Sequence, residues 1–166
     1  MDFIFLLLRT KYHILNLENN YWVVITIKSY IRDYAISAFI FYSINNKSVE
    51  DYKHKLYLDT LNEFKSFNVP FNNQFYENKL ITHKSEIDDM EAVYLTIIQL
   101  QDINRFDILR CLDIVYFSVK QAQISKRLIS CNVTKASLEL FLSERTIYNY
   151  LNKAINMFTV NRGLRA

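Results

Sequence analysis

The sequence predicts a mainly α-helical protein, in which a helical N-terminal body (residues 1–83) precedes a C-terminal domain with a helix-turn-helix (residues 84–166). Three observations support this fold class. The 166 residues include one glycine, Gly163, and one proline, Pro70, whereas sheet-rich folds use many of both in their turns. Apolar residues recur at helical spacing. Residues that commonly cap helix N-termini precede several of these stretches.

The N-terminal half contains several stretches with helical character. We interpret Phe3–Leu17 and Ser48–Phe67 as helices. Between them, Tyr21–Ile27 is rich in β-branched and aromatic residues, so a strand remains an alternative to a helix there. Ser48 stands three residues before Asp51, a pattern that is typical of a helix start.

No segment of the sequence has the features of a membrane span or a signal peptide. The most apolar stretch, Tyr21–Ile44, is interrupted by charged residues, whereas a span needs about 20 uninterrupted apolar residues. The first nine residues are apolar for too short a distance, and no small-residue cleavage site follows them. We therefore expect a cytoplasmic protein that has no membrane partner.

Three apolar series predict helices in the C-terminal half. They follow polar segments at residues 83–85 and near Asn104 and Ser143, and further loop signals lie at residues 45–47, 68–73 and 131–132. Ser85 stands three residues before Asp88 and predicts another helix start. The series are Met90, Val93, Tyr94, Ile97; Ile108, Leu112, Val115, Tyr116, Val119; and Ile147, Leu151, Ala154, Ile155, Phe158.

Charge is distributed unevenly along the chain. Residues 119–166 contain eight lysines and arginines but two acids, a net charge of +6. Because the whole chain carries +3, residues 1–118 carry −3. A basic C-terminal segment on an acidic body indicates that a polyanion binds at one end only.

Residues 132–158 have the spacing of two helices that cross at a short turn. The first helix is predicted from about Val133 to Leu140, with the small Ala136 and Ser137 where the helices approach closely. Ser143 is a suitable N-cap for the second helix. This arrangement is the packing pattern of a helix-turn-helix. Phe141 stands where such turns usually carry glycine, so we expect a less tight turn.

The polar residues of the second helix indicate double-stranded DNA as the partner. Asn149 is suited to pair with adenine, and Arg145 with guanine or a phosphate. Ser143, Thr146 and Tyr148 are suited to phosphate contacts. Any amphipathic helix exposes a polar face, so the alternative interpretation is a merely solvated surface. The candidate DNA-binding residues of this helix are Ser143, Glu144, Arg145, Thr146, Tyr148, Asn149, Asn152 and Lys153. Three further candidates add electrostatic attraction to the DNA backbone, namely Lys126, Arg127 and Lys135.

Other classes of function find little support. Cys111 and Cys131 are interpreted as reduced and mostly buried thiols, because no second pair completes a zinc site or disulfide framework. The acids between Asp88 and Glu91 are interpreted as favouring a helix dipole rather than binding metal. The histidines (His13, His54 and His83) are scattered along the chain. We expect no metal, no cofactor and no enzymatic activity.

Residues from about Glu86 to Phe158 resemble the ArpU/RinA group of phage and prophage late-gene transcription regulators, which is similar to the promoter-reading fourth region of sigma factors. The matching segments are Glu91-Ala92-Val93, Ile97-Ile98, Leu100, Ile108-Leu109-Arg110, Tyr116-Phe117, Leu142 to Tyr148, Leu151 to Ile155, and Phe158. The resemblance implies a DNA-binding activator of late, packaging or lysis genes. It makes RNA polymerase a second candidate partner.

Two alternatives to a DNA-binding activator follow from the same residues. One is a protein-interaction module, such as an anti-repressor or inhibitor, that acts through the acidic helical N-terminal half. The other is a sigma-like subunit that needs RNA polymerase in order to bind DNA. A homodimer is compatible with the DNA-binding interpretation, because two half-sites raise the limited affinity of one recognition helix.

Overall fold

The computed structural model describes residues 20–120 and 125–164, with the side chains of residues 29–120 and 125–164. Over these residues the mainly α-helical fold is confirmed, and they contain no strand. A π-helical turn, Asp113–Phe117, continues the fifth helix. The helices are α1 (Asn20–Ile44), α2 (Val49–Ser66), α3 (Asn73–Thr82), α4 (Lys84–Asp102), α5 (Phe106–Leu112), α6 (Lys126–Leu140) and α7 (Glu144–Asn161).

The N-terminal predictions have different outcomes. The predicted helix Phe3–Leu17 lies outside the described residues. Tyr21–Ile27 is helical and belongs to α1, because the weak strand preference of its β-branched residues does not outweigh the helix that continues to Ile44. The predicted helix at Ser48–Phe67 is α2, and the Ser48 Oγ accepts a hydrogen bond from the Asp51 amide at 3.1 Å, as the N-cap pattern predicts.

The break predicted at residues 83–85 is present as the single residue His83 between α3 and α4, but the helix start at Ser85 and the loop at residues 131–132 are wrong. Helix α4 begins at Lys84, so Ser85 lies inside its first turn and its hydroxyl accepts a hydrogen bond from Arg162 at 3.2 Å instead of capping. Helix α6 begins at Lys126, and residues 131–132 lie in its middle rather than in a loop. The Asn132 amide donates to the Val115 carbonyl at 3.0 Å, so this asparagine has a tertiary role that its neighbours in sequence do not reveal.

The hydrophobic core is continuous across residue 83. From α1, Phe39 is fully buried, and its ring centre lies 5.8 Å from that of Tyr116 and 5.6 Å from that of Phe158. The series that begin at Ile108 and at Ile147 are buried throughout, as their spacing predicts, whereas Tyr94 of the first series is half exposed. Each large apolar side chain that is fully buried contributes about 1.5–3 kcal/mol.

Helices α2 and α3 form a hairpin at the periphery of this core. Helix α2 buries Tyr52, Leu56 and Thr60, whereas α3 has no buried residue. Aromatic rings hold the two helices together, since the ring centre of Phe64 lies 5.1 Å from that of Phe75. The hairpin is joined to α4 by a hydrogen bond from the Tyr52 hydroxyl to Glu86. The contact between Phe64 and Phe75 thus gives the hairpin a small aromatic core of its own.

Candidate nucleic-acid interface

Helices α6 and α7 pack closely along their small and apolar residues, and together they are called the α6–α7 unit (Lys126–Asn161) here. Val133 and Ala136 of α6 and Ile147 of α7 are all fully buried. Ala136 has no side chain beyond Cβ, which allows a neighbouring backbone to approach, as the sequence predicts for this position. The unit also contacts the π-helical turn and α5, so the core supports it from behind.

The turn between α6 and α7 is closed by Phe141 in the left-handed conformation, with φ 55° and ψ 39°. The Leu142 amide donates to the Ser137 carbonyl at 3.1 Å, and the Ser137 hydroxyl donates to the Leu142 carbonyl at 2.6 Å. The expectation that phenylalanine would loosen the turn is wrong, because these hydrogen bonds hold it in the conformation that glycine usually adopts. The turn therefore fixes the start of α7 against α6.

The first turn of α7 is fixed by its own side chains. Ser143 is the N-cap, and its Oγ accepts a hydrogen bond from the Thr146 amide at 3.1 Å. The Ser143 and Thr146 hydroxyls lie 2.8 Å apart, so they are also hydrogen-bonded. Glu144 accepts a hydrogen bond from the Thr134 hydroxyl of α6 at 2.7 Å. Of the candidate residues, Ser143, Glu144 and Thr146 thus have structural partners within the unit.

The outer face of α7 lies opposite its buried stripe and consists of Arg145, Asn149, Asn152, Lys153, Asn156 and Val160. The structure exposes all six of these side chains. Sequence reasoning named the first four and missed Asn156. The spacing in the sequence could have identified Asn156, because it follows Asn149 by seven residues and positions seven apart share one face of a helix. Three amides and two cations thus project from a surface without acids.

The candidate cations outside α7 are also exposed. Lys126 and Arg127 lie in the first turn of α6, and neither forms an ion pair within the described residues. Lys135 pairs with Glu139, with its amino group 3.6 Å from the carboxylate, and therefore contributes less positive charge. Tyr148 is half buried at the edge of α7 that faces α1.

An ion pair between Arg105 and Asp107 lies at the opposite edge of α7, beside Tyr150. Both the Arg105 Nε and an Nη donate to the Asp107 carboxylate at 2.9 Å, and these hydrogen bonds lower the pKa of Asp107 to about 2. The Arg105 guanidinium lies 5.3 Å from the ring centre of Tyr150. Because this pair cancels its own charge, Arg105 adds no net positive charge to this edge of α7.

The acids between Asp88 and Glu91 have a role that the sequence did not reveal. The Asp89 carboxylate accepts hydrogen bonds from the Tyr34 hydroxyl and from the Arg162 Nε, each at 2.5 Å. It therefore ties α4 to α1 and to the end of α7. No local pattern could predict this contact, since Arg162 is 73 residues away. Within the ranges that the structure describes, no group of histidine, cysteine or acidic residues is arranged to bind a metal ion.

The two cysteines differ in exposure. Cys111 is fully buried, and burial raises the pKa of its thiol to about 11. Cys131 is exposed on α6, so the expectation of two mostly buried thiols holds for Cys111 alone. Both are free thiols.

Comparison of the chain with models of protein families, with curated proteins and with solved structures gives no match. None of the helices in the described ranges has the length and apolar character that crossing a membrane requires. The geometry of the α6–α7 unit is therefore the main basis for a functional proposal.

Proposed function

We propose that the protein is a sequence-specific DNA-binding transcription regulator, in which the α6–α7 unit is a helix-turn-helix and α7 is its recognition helix. The observation that carries this proposal is the outer face of α7. This face exposes amide and cationic side chains. The other side of α7 is fixed against the core, because Ile147, Leu151 and Phe158 are almost completely buried. A solvated surface helix would need neither the tight turn nor this absence of acids.

The dimensions of α7 suit the major groove of B-DNA. Its 18 residues span about 27 Å, and the groove is about 12 Å wide, so one helix with short side chains fits. We assign Asn149 to an adenine and Arg145 to a guanine, because the amide and the guanidinium form bidentate hydrogen bonds with these bases. Asn152 and Asn156 extend the same line toward further bases or the backbone. Lys153 is assigned to a phosphate.

The distribution of charge also supports an orientation in which the outer face of α7 enters the major groove. The C-terminal segment carries +6 in the sequence. Lys126, Arg127 and Arg145 lie in the first turns of α6 and α7 and form no ion pair with any residue that the structure describes. Cations at the starts of two neighbouring helices can contact phosphates on either side of the groove. The affinity should therefore fall steeply as the salt concentration rises.

The resemblance to ArpU/RinA regulators supports a more specific role, the activation of phage or prophage late genes, with RNA polymerase as a further partner. A sigma-like subunit predicts weak binding to DNA alone and strong binding together with the polymerase. Co-purification with RNA polymerase distinguishes this role from that of an independent regulator.

A protein-interaction module is the second candidate function, and exposed apolar residues in the α2–α3 hairpin favour it. Phe67 is 76% exposed, Phe75 57% and Val69 51%. Val69 and Phe75 line one pocket, and contiguous exposed apolar surface is typical of contact surfaces between proteins. In this alternative the α6–α7 unit has a structural role only, and substitutions on the outer face of α7 leave function unchanged.

The test is DNA selection with the full chain, followed by variants of the outer face. The selected duplex should be bound tightly, and Arg145→Ala and Asn149→Ala should each weaken binding by about 1–3 kcal/mol with relaxed preference at one base pair. Asn62→Ala, an exposed asparagine on α2, is the matched control and should bind as the wild type does. If the folded wild type shifts no duplex at low salt, the proposal is wrong.

A further inference from the structure

A groove between α1, α6 and α7 lies beside the outer face of α7. It encloses about 520 Å³ and is open to solvent at one side. Its apolar base includes Ile36 of α1 and Ile129 of α6. Its remaining lining is polar or aromatic and consists of Ser29, Arg32, Asp33, Ser37, Lys126, Ser130 and Tyr148.

Hydrogen-bond donors from three helices converge on this groove. Arg32 comes from α1, Lys126 from the start of α6, and Tyr148 from the edge of α7. Arg32, Lys126 and Tyr148 thus line one groove although they come from three different helices.

The groove carries a net positive charge. Its cations, Arg32 and Lys126, outnumber its one acid, Asp33. Neither cation forms an ion pair within the residues that the structure describes. The first backbone amides of α6 add to this, because Ser125 caps the Leu128 amide at 3.1 Å and leaves earlier amides without an acceptor in the helix.

We propose that this groove binds a backbone phosphate of DNA, with Arg32, Lys126 and Tyr148 as the donors. The inference rests on the proposed function, and it makes α1 a direct part of the DNA interface. Tyr148 directly precedes Asn149, so a phosphate in the groove flanks the bases that the outer face of α7 reads. A phosphate contact in this groove, beside the outer face of α7 that is assigned to the bases, supplies affinity and position but not sequence preference.

The test is the salt dependence of DNA binding by Arg32→Gln, measured with the full chain on a duplex selected by the wild type and on a scrambled duplex of equal length. Loss of one phosphate contact should reduce the slope of log K against log salt by about 0.9 on both duplexes. The ratio of the two affinities should stay unchanged. Lys126→Gln should have the same effect, and Tyr148→Phe should weaken binding to both duplexes equally.

Two control variants separate the contact from a general loss of charge. Lys55→Gln removes an exposed cation of α2 that is not in the groove, and its slope should equal that of the wild type. Arg32→Lys keeps the charge and should keep the slope. Circular dichroism melting of each variant checks the fold, and because Arg32 is exposed we expect no change in the midpoint.

The outcomes separate this inference from the proposed function. If the wild type binds the duplex, Arg145→Ala weakens it and Arg32→Gln changes neither slope nor affinity, the groove proposal is overturned and the recognition helix stands. If the wild type binds no DNA, both proposals are wrong. Titration with inorganic phosphate at constant ionic strength tests whether the groove binds free phosphate instead of a phosphate of the DNA backbone. Saturable phosphate binding that Arg32→Gln abolishes, together with an unchanged DNA slope, would also overturn the proposal.

Discussion

Phe141 combines an unfavourable backbone conformation with almost complete exposure of its side chain. Its φ of 55° lies in the left-handed region, which is uncommon for a bulky residue, and its side chain is 94% exposed. The ring therefore gains little from packing that could offset the strain. The hydrogen bonds between Ser137 and Leu142 hold the turn in this conformation.

We expect Phe141→Gly to stabilise the protein. Glycine adopts a positive φ without a steric penalty, and the left-handed conformation costs other residues roughly 1–2 kcal/mol. The greater freedom of glycine in the unfolded chain offsets part of this gain, which leaves about 1 kcal/mol. Urea unfolding, followed by circular dichroism, should show a higher midpoint and an unchanged slope.

Phe67→Gly is the matched control for this prediction. Phe67 is also largely exposed, but its φ is −95°, so glycine relieves no strain there. We expect no gain in stability from this change. A lower midpoint for Phe141→Gly than for the wild type would show that the exposed ring packs on another part of the chain.

Capping shows how far single residues could be predicted. Ser48 and Ser143 cap helices as the sequence predicts, because the cap hydrogen bond forms within three residues of the chain. Ser85 fits the same pattern but bonds Arg162 instead, 77 residues away. A capping pattern thus identifies a hydroxyl near a helix start, but whether that hydroxyl caps the helix also depends on partners that are remote in sequence.

At the scale of elements, the stripe of α7 was predictable and the extent of α6 was not. The apolar residues of α7 recur at helical spacing, and that period is a property of consecutive residues. In α6 the polar pair Cys131-Asn132 is typical of a loop, yet the Asn132 side chain bonds the Val115 carbonyl and the helix runs through it. The helix start at Ser125 follows from a cap that the apolar pattern does not mark.

Helices α3 and α4 should differ strongly in local stability. Helix α4 buries six residues, among them Met90, Val93 and Leu100, whereas α3 buries none. Amide hydrogens in α3 should therefore exchange through local opening of the hairpin, and those in α4 only through global unfolding. We expect protection factors at least about tenfold lower in α3, equivalent to roughly 1.4 kcal/mol, by hydrogen-exchange mass spectrometry.

The π-helical turn and the middle of α7 are internal references for this measurement. Val115, Tyr116, Leu151 and Ala154 are almost completely buried, so we expect protection there similar to that of α4. Equal protection in α3 and α4 would contradict the peripheral position of the hairpin. It would mean that the hairpin and the core open together.

At the scale of the whole molecule, α1 belongs to the same core as the C-terminal helices. Phe39 packs between Tyr116 and Phe158, and Tyr34 donates to Asp89. Helix α1 contacts α4, the π-helical turn and α7. The boundary predicted at residue 83 therefore does not coincide with a break in the buried core.

We expect a fragment of residues 84–166 not to fold by itself. Without α1 it would expose the surfaces that Phe39, Ile40 and Tyr42 cover, and each such side chain contributes about 1.5–3 kcal/mol. Domains are stable by about 5–15 kcal/mol, so this loss is a large fraction of the total. Far-ultraviolet circular dichroism of the fragment should show reduced helicity and no cooperative thermal transition.

The full chain, melted under the same conditions, is the reference. It should unfold in a cooperative transition that includes α1 and α7. A fragment that melts cooperatively near the midpoint of the full chain would contradict a shared core. It would then support two separately folding units, divided near residue 83.

The sequence by itself determined the helical class, the buried and outer sides of α7, and the excess of positive charge toward the C-terminus. Each of these depends on composition or on the spacing of near neighbours. Only the tertiary structure decided that α1 joins the core, that Asp89 bonds Arg162, and that Arg32, Lys126 and Tyr148 line one groove. These contacts join residues tens of positions apart, and their geometry depends on how all the helices pack together.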